Sequence, residues 1–208
     1  MCAPASFVIK NIRIMKPLKL LLPVIASVSA LPLSAQNPRA ASADFSIETR
    51  VTNYIQGGYD LKFFFHAPNT RMSYGLSIGG QRLEGLGKEL VFEGENLDEI
   101  SLRLSWVASA LARYHLSPGD NGFFAEFSAG VEQFRAEYGS ETRADVNGFI
   151  SPAIGYLWFP FKKHAFYAMP KLSVNFLVFR PGMQSLGPAG YRLRAIHPSP
   201  SLSVGWRF

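Results

Sequence analysis

The sequence predicts an all-β fold, a transmembrane antiparallel up-and-down β-barrel of eight strands, and three observations carry it. Apolar residues alternate with small or polar ones through most of the chain beyond residue 44, short and long connections take turns, and the chain ends in an alternating apolar run closed by Phe208. A period of two belongs to strands, because successive side chains point to opposite faces.

The chain of 208 residues opens with a segment to set aside. From Met15 a basic start at Lys16 and Lys19 leads through Leu20, Leu21, Leu22, Val24, Ile25 and Val28 to Ser34-Ala35, the order of a secretory signal peptide. Its apolar core is short and broken by Pro23 and Pro32, whereas a helical membrane span needs about 20 apolar residues. Cleavage before Gln36 is the preferred reading, with Val28-Ser29-Ala30 as the alternative site. Residues 1–14 read either as an extended basic lead or as sequence upstream of the true start at Met15. The organisation is therefore residues 1–35 as signal peptide, 36–44 as a short lead and 45–208 as the barrel.

Removing residues 1–35 takes away four cations and no carboxylate, so the formal charge falls from +6 to +2. Basic stripes with interleaved aromatics do not remain, which excludes a nucleic-acid partner. The single cysteine, Cys2, leaves with the signal, so neither a disulfide nor a thiolate metal site is expected.

Strands follow from the alternation in order. Phe45 to Asn53 is required by parity as an outward first strand, with the break at Gln56-Gly57-Gly58 open to reading as a bulge in one longer strand. Tyr59, Leu61, Phe63 and Phe65 mark the second, and Met72, Tyr74, Leu76 and Ile78 the third, within Arg71 to Gln81. From Ile100 to Tyr114, Ile100, Leu102, Leu104, Trp106, Ala108, Ala110, Ala112 and Tyr114 share one face, with Arg103 and Arg113 among serines on the other. Phe123 to Val131, Ile150 to Trp158, Phe166 to Val178 and Pro200 to Phe208 complete eight. The non-apolar face is mostly Ser, Gly and Ala with scattered charges, which suits a crowded barrel interior better than a solvated sheet face.

Short turns follow Phe65, Tyr114 and Trp158, while Arg82 to Glu99, Arg135 to Asp145 and Arg180 to Pro198 form long polar connections. The final residues Leu202, Val204, Trp206 and Phe208 match, position by position, the C-terminal signature of outer-membrane barrels, and the layout of the whole mature chain is similar to small eight-stranded barrels of the OmpA/OmpX kind and to porin-like barrels of Bacteroidetes. That resemblance implies an outer-membrane location reached through the periplasm, both termini on the periplasmic side, contact with outer-membrane lipids and lipopolysaccharide, and recognition of the C-terminal residues by the barrel insertion machinery. It carries fold and location, and leaves function open.

Candidate functional residues fall in three groups. Glu48, Arg50, Asp60, Lys62, Arg103, Arg113, Glu126, Glu132, Lys171 and Arg207 are expected to point into the lumen, where mixed signs favour ion pairs that plug it over a selectivity filter. Arg180, Arg192 and Arg194 in the last long connection suit phosphates of lipopolysaccharide. His115-Leu116-Ser117 bears a thin likeness to the His-x-Ser pair of lipid A deacylases, but the following Pro118-Gly119 reads as a turn at the periplasmic end, so no enzyme activity is expected. No cofactor and no metal site are expected either, and the acidic stretch from Glu84 to Glu99 reads as a solvated external loop. The function expected is structural or interactive, through external loops facing an unidentified extracellular partner, with a narrow channel for small solutes as the alternative.

Overall fold

The computed structural model describes residues 44–68, 70–117, 121–161 and 165–208, so the segment read as a signal peptide, the lead before Asp44 and parts of the short turns lie outside it. Among these, eight strands close a ring in the order β1 (Asp44–Arg50), β11 (Ile196–Arg207), β8 (Phe166–Phe179), β7 (Glu141–Leu157), β6 (Gly122–Tyr138), β5 (Ser101–His115), β3 (Met72–Leu83) and β2 (Tyr59–His66). Every neighbouring pair is antiparallel, and the first and last strands meet with Ser46 opposite Arg207. No helix among the described residues is long and apolar enough to cross a membrane.

The outside of the ring is apolar. Phe63, Leu76, Ile78, Phe127, Ile154 and Leu172 are all exposed, while Ser46, Lys62, Ser73, Arg113, Glu126 and Ser203 are buried inside. That polarity is the reverse of a water-soluble barrel and is what a sheet facing hydrocarbon requires. Inward aromatics sit over cross-strand glycines. Phe64 pairs with Gly75, Phe124 with Gly155 and Tyr167 with Gly205, and a Cβ on any of the three glycines would collide with the ring.

The first strand is separate, as parity required, but it stops at Arg50. The helix Val51–Ile55 follows, so the break at Gln56-Gly57-Gly58 is a loop and not a bulge. The stretch from Arg135 to Asp145 is not a loop. β6 and β7 run on as strands of 17 residues each to a tight turn at Gly139-Ser140, well beyond the roughly 9–11 residues a membrane crossing uses. Cross-strand pairing continues without a break from Gly122–Leu157 to Tyr138–Glu141.

One face assignment is corrected. Between Leu104 and Trp106 the pairing of β5 with β6 shifts by one, leaving Ser105 as an extra residue. A one-residue insertion exchanges the two faces of a strand. Trp106 and Tyr114 therefore point out while Leu102 is buried within, although all three fall on even positions of one apparent stripe.

Above this level the lumen is apolar. Leu83, Leu102, Phe134 and Ala136 from the barrel pack with Phe92, Leu186, Ala189, Tyr191 and Leu193 from the long connections. Those connections build their own three-stranded sheet in the order β4 (Phe92–Glu95), β10 (Ala189–Leu193), β9 (Gln184–Leu186). Together with the helix Leu86–Val91 and the 3₁₀ turn Leu97–Glu99 they form a folded head, where the sequence suggested a solvated loop.

Deleting Ser105 is expected to leave a barrel that still shows the heat-dependent gel shift while its head loosens, because Leu102 loses its inward position. Limited trypsin digestion checks this: a new cut after Lys88 is expected, and an unchanged digest would remove the bulge from the account.

Candidate functional site

Three layers of side chains occupy the lumen below the head. The layer nearest the short turns and the chain ends joins His66, Ser46, Ser73 and His115. His66 Nδ1 lies 2.7 Å from Ser73 Oγ and its Nε2 2.9 Å from Ser46 Oγ, and Ser73 Oγ lies 3.0 Å from His115 Nε2. His115 thus turns to a serine on the neighbouring strand, not to Ser117. Arg207 Nη2 closes the same end with a 2.8 Å bond to Asp44.

The second layer is centred on Arg113. Its Nη1 and Nη2 donate to the two oxygens of Glu48 at 2.6 and 2.9 Å, and its Nε and Nη2 donate to Glu126 Oε2 at 2.9 and 2.6 Å. Such paired contacts exploit the planar fork of guanidinium. Glu126 also accepts from Lys171 Nζ at 2.5 Å, and Glu48 from the Tyr167 hydroxyl at 2.8 Å. Phe64 and Phe124 flank the guanidinium, with ring centroids 4.1 and 4.6 Å from Cζ, a favourable arrangement for a cation held out of water. The network spans β1, β5, β6 and β8, so it ties opposite walls together.

The third layer is a polar cavity of about 110 Å³ that reaches from Lys62, Glu126 and Lys171 to Leu83, Leu104 and Phe134 beneath the head. Asp60 stands 3.4 Å from Lys62 and 3.9 Å from Arg50. Glu132 is buried opposite Asn147, and neither amide atom of Asn147 has a partner among the described residues. The volume would hold roughly three waters.

Nine of the ten residues expected in the lumen point inward. Arg103 does not. It follows the bulge to the outer surface and pairs with Glu137 at 3.1 Å, with about two-fifths of its side chain exposed. Arg180, Arg192 and Arg194 are drawn into the head. Arg192 binds Glu93 at 2.6 Å, Arg194 donates to the carbonyls of Glu89 and Phe92 at 3.0 and 3.2 Å, and Arg180 bonds the carbonyl of Leu193. The hydrogen bond from Arg192, with Arg194 and Arg180 nearby, holds the Glu93 carboxyl below its ordinary value. Leu202 is exposed to the outside and the Phe208 amide closes onto the Phe45 carbonyl at 2.8 Å. Sequence reasoning missed Phe64, Phe124 and the layer around His66. Inward parity was their signal, overlooked because the aromatics looked like members of the apolar face. Among the described residues, no group of three or more His, Cys, Asp or Glu is placed to hold a metal ion.

Arg113→Ala is expected to cost about 3–5 kcal/mol, the usual penalty for leaving buried charges without their partner. The urea midpoint of the folded gel band measures it, and a cost under about 1 kcal/mol would show that Lys171 and water compensate.

No protein-family model matches the chain, and no curated protein does. Solved structures do. The chain is similar to a major outer membrane protein from Thermus thermophilus, with a TM-score of 0.51 and 13% identity over 80% of this chain and 100% of that one. It also matches the N-terminal β-barrel domain of Pseudomonas aeruginosa OprF, with a TM-score of 0.46 and 14% identity over 80% and 100% of the two chains. A further match is Ail, the attachment invasion locus protein of Yersinia pestis, with a TM-score of 0.40 and 11% identity over 80% and 97%. At these identities the likeness concerns the fold alone, and with the closed ring and its apolar exterior it identifies an eight-stranded barrel of the outer-membrane kind.

Proposed function

We propose that the protein is an outer-membrane barrel with a structural or interaction role carried by its external head, and that ion pairs close its lumen. The observation that supports this most directly is the head itself. Connections that only linked strands would stay solvated, whereas these fold into a sheet with an apolar core of their own. Ordering so many residues costs conformational entropy, and a fixed shape is what recognition by an extracellular partner requires. The Arg113 network and the paired layer of Asp60 and Lys62 support closure, since Glu48, Asp60 and Glu126 each meet a cation inside the ring. Leu202, Val204, Trp206 and Phe208 would be read by the insertion machinery during assembly. The polar cavity favours a second reading, a narrow channel for small solutes.

Two measurements test the proposal. The protein, checked for a heat-dependent gel shift, is expected to leave a planar bilayer electrically silent. Steady, charge-selective openings would instead favour the channel. On intact cells, a membrane-impermeant maleimide is expected to label Ser140→Cys and not Thr70→Cys, and the opposite pattern would invert the assigned orientation.

A further inference from the structure

The bulge at Ser105 turns Arg103 toward the outside of the barrel, where it joins the outward Arg82 and Arg135 in one row. Arg82 on β3 lies directly across from Arg103 on β5, and Arg103 directly across from Arg135 on β6. Leu83, Leu102, Leu104, Phe134 and Ala136, their sequence neighbours, point inward, so the three guanidinium groups share the outer face. Neighbouring strands stand about 4.8 Å apart, and like charges placed directly opposite on one face destabilise a sheet. Only one carboxylate meets the row, Glu137 against Arg103. Arg82 and Arg135 have no carboxylate partner among the described residues, and Nε of both Arg103 and Arg135 lacks an acceptor.

The surface is hollow there. A depression of about 330 Å³ is lined by Gly58, Gly80, Ser105 and the three arginines. Gly80 stands on an outward position opposite the bulge, and a Cβ there would press on the carbonyl oxygens of Ser105 at 2.8 Å and of Leu104 at 3.0 Å. The Ser105 hydroxyl is buried at the bulge and has no partner among the described residues. Below the row the same outer face carries Trp106, whose indole donates to Gln133 at 3.2 Å, and then the exposed Ile78 and Val131 of the apolar belt. A belt, an amphipathic ring and then cations is the order met on leaving hydrocarbon for a headgroup layer.

We propose that this hollow binds a phosphorylated lipid headgroup of the outer leaflet, lipid A, with Arg82, Arg103 and Arg135 on its phosphates. Guanidinium matches phosphate with paired, charge-assisted hydrogen bonds. An anion spanning the row relieves the repulsion that the register imposes, and its acyl chains continue down the belt beneath Trp106. The assignment rests on the outer-membrane orientation proposed above. It differs from the expectation for Arg180, Arg192 and Arg194, whose donors are taken up within the head.

The test uses the full chain in zwitterionic micelles with Trp158→Phe and Trp206→Phe, so that Trp106 alone reports. It is titrated with diphosphoryl lipid A, with the same lipid stripped of both phosphates, and with inorganic phosphate. Saturable quenching or shift by the diphosphoryl lipid only is expected. Arg82→Gln with Arg135→Gln should weaken that binding tenfold or more, while Arg71→Gln at the opposite end of the barrel leaves it unchanged. Glu137→Gln, which removes the one competing carboxylate without touching a cation, should tighten it. Equal binding by the double variant, equal binding of the dephosphorylated lipid, or an equal response to inorganic phosphate would each overturn the assignment. A protein that lacks the gel shift, or whose Ser140→Cys is not labelled on cells, would instead overturn the membrane reading beneath it.

Discussion

The guanidinium of Arg113 is the constraint to which the rest of the lumen answers. A fully buried cation is tolerable only when its donors are met and its charge is balanced. Glu48 and Glu126 do both, from two different walls. Lys171 then meets the remaining oxygen of Glu126, and Tyr167 adds a second donor to Glu48 Oε1. The rings of Phe64 and Phe124 hold the plane of the guanidinium and leave little room for it to tilt. Those rings fit only because Gly75 and Gly155 have no side chains in the facing positions. One charge thus explains two acids, a lysine, a tyrosine, two phenylalanines and two glycines drawn from most of the strands of the ring.

The bulge divides the barrel into two regimes. On the side of the short turns, the ring is apolar outside and polar inside. Beyond Ser105 the arrangement reverses, with leucines and Phe134 inside and arginines outside. A single added residue in β5 brings Leu102 and Leu104 in and Arg103 out, while β6 passes the same level with its alternation intact, because Val131, Gln133 and Arg135 all face out and simply become more polar along the strand. The head needs that reversal, since its own apolar sheet must find apolar partners in the mouth of the barrel.

Much of the architecture was legible. Alternation located seven strands, and parity supplied the weak first one, because a ring with both ends on one side needs an even number. Alternation also assigned most inward charges correctly. It failed at Arg103, where apolar residues fall on even positions both before and after the extra residue, so the stripe looks continuous from Ile100 to Tyr114. No local propensity marks Ser105; only the pairing partners reveal it. The head was illegible for a related reason. Its short strands are held by Phe92 meeting Tyr191 and Leu193 from a distant part of the chain, and polar composition around them resembles that of a solvated loop. Arg180, Arg192 and Arg194 were noticed for their charge, yet Glu93 and backbone carbonyls claim it.

The ladder that joins Ser46 to Arg207 has a kinetic meaning as well. It pairs the two ends of the described chain, the most distant in sequence of the described strand pairings and the kind that forms slowly. Glu48 stands on that closing strand, while Arg113 stands on β5, which no ladder joins to it. As an open sheet, the chain would present Arg113 with Glu126 alone; curling the sheet shut brings the second acid across. Ring closure and charge balance are therefore one event, and the buried arginine acts as a latch that rewards only the finished ring.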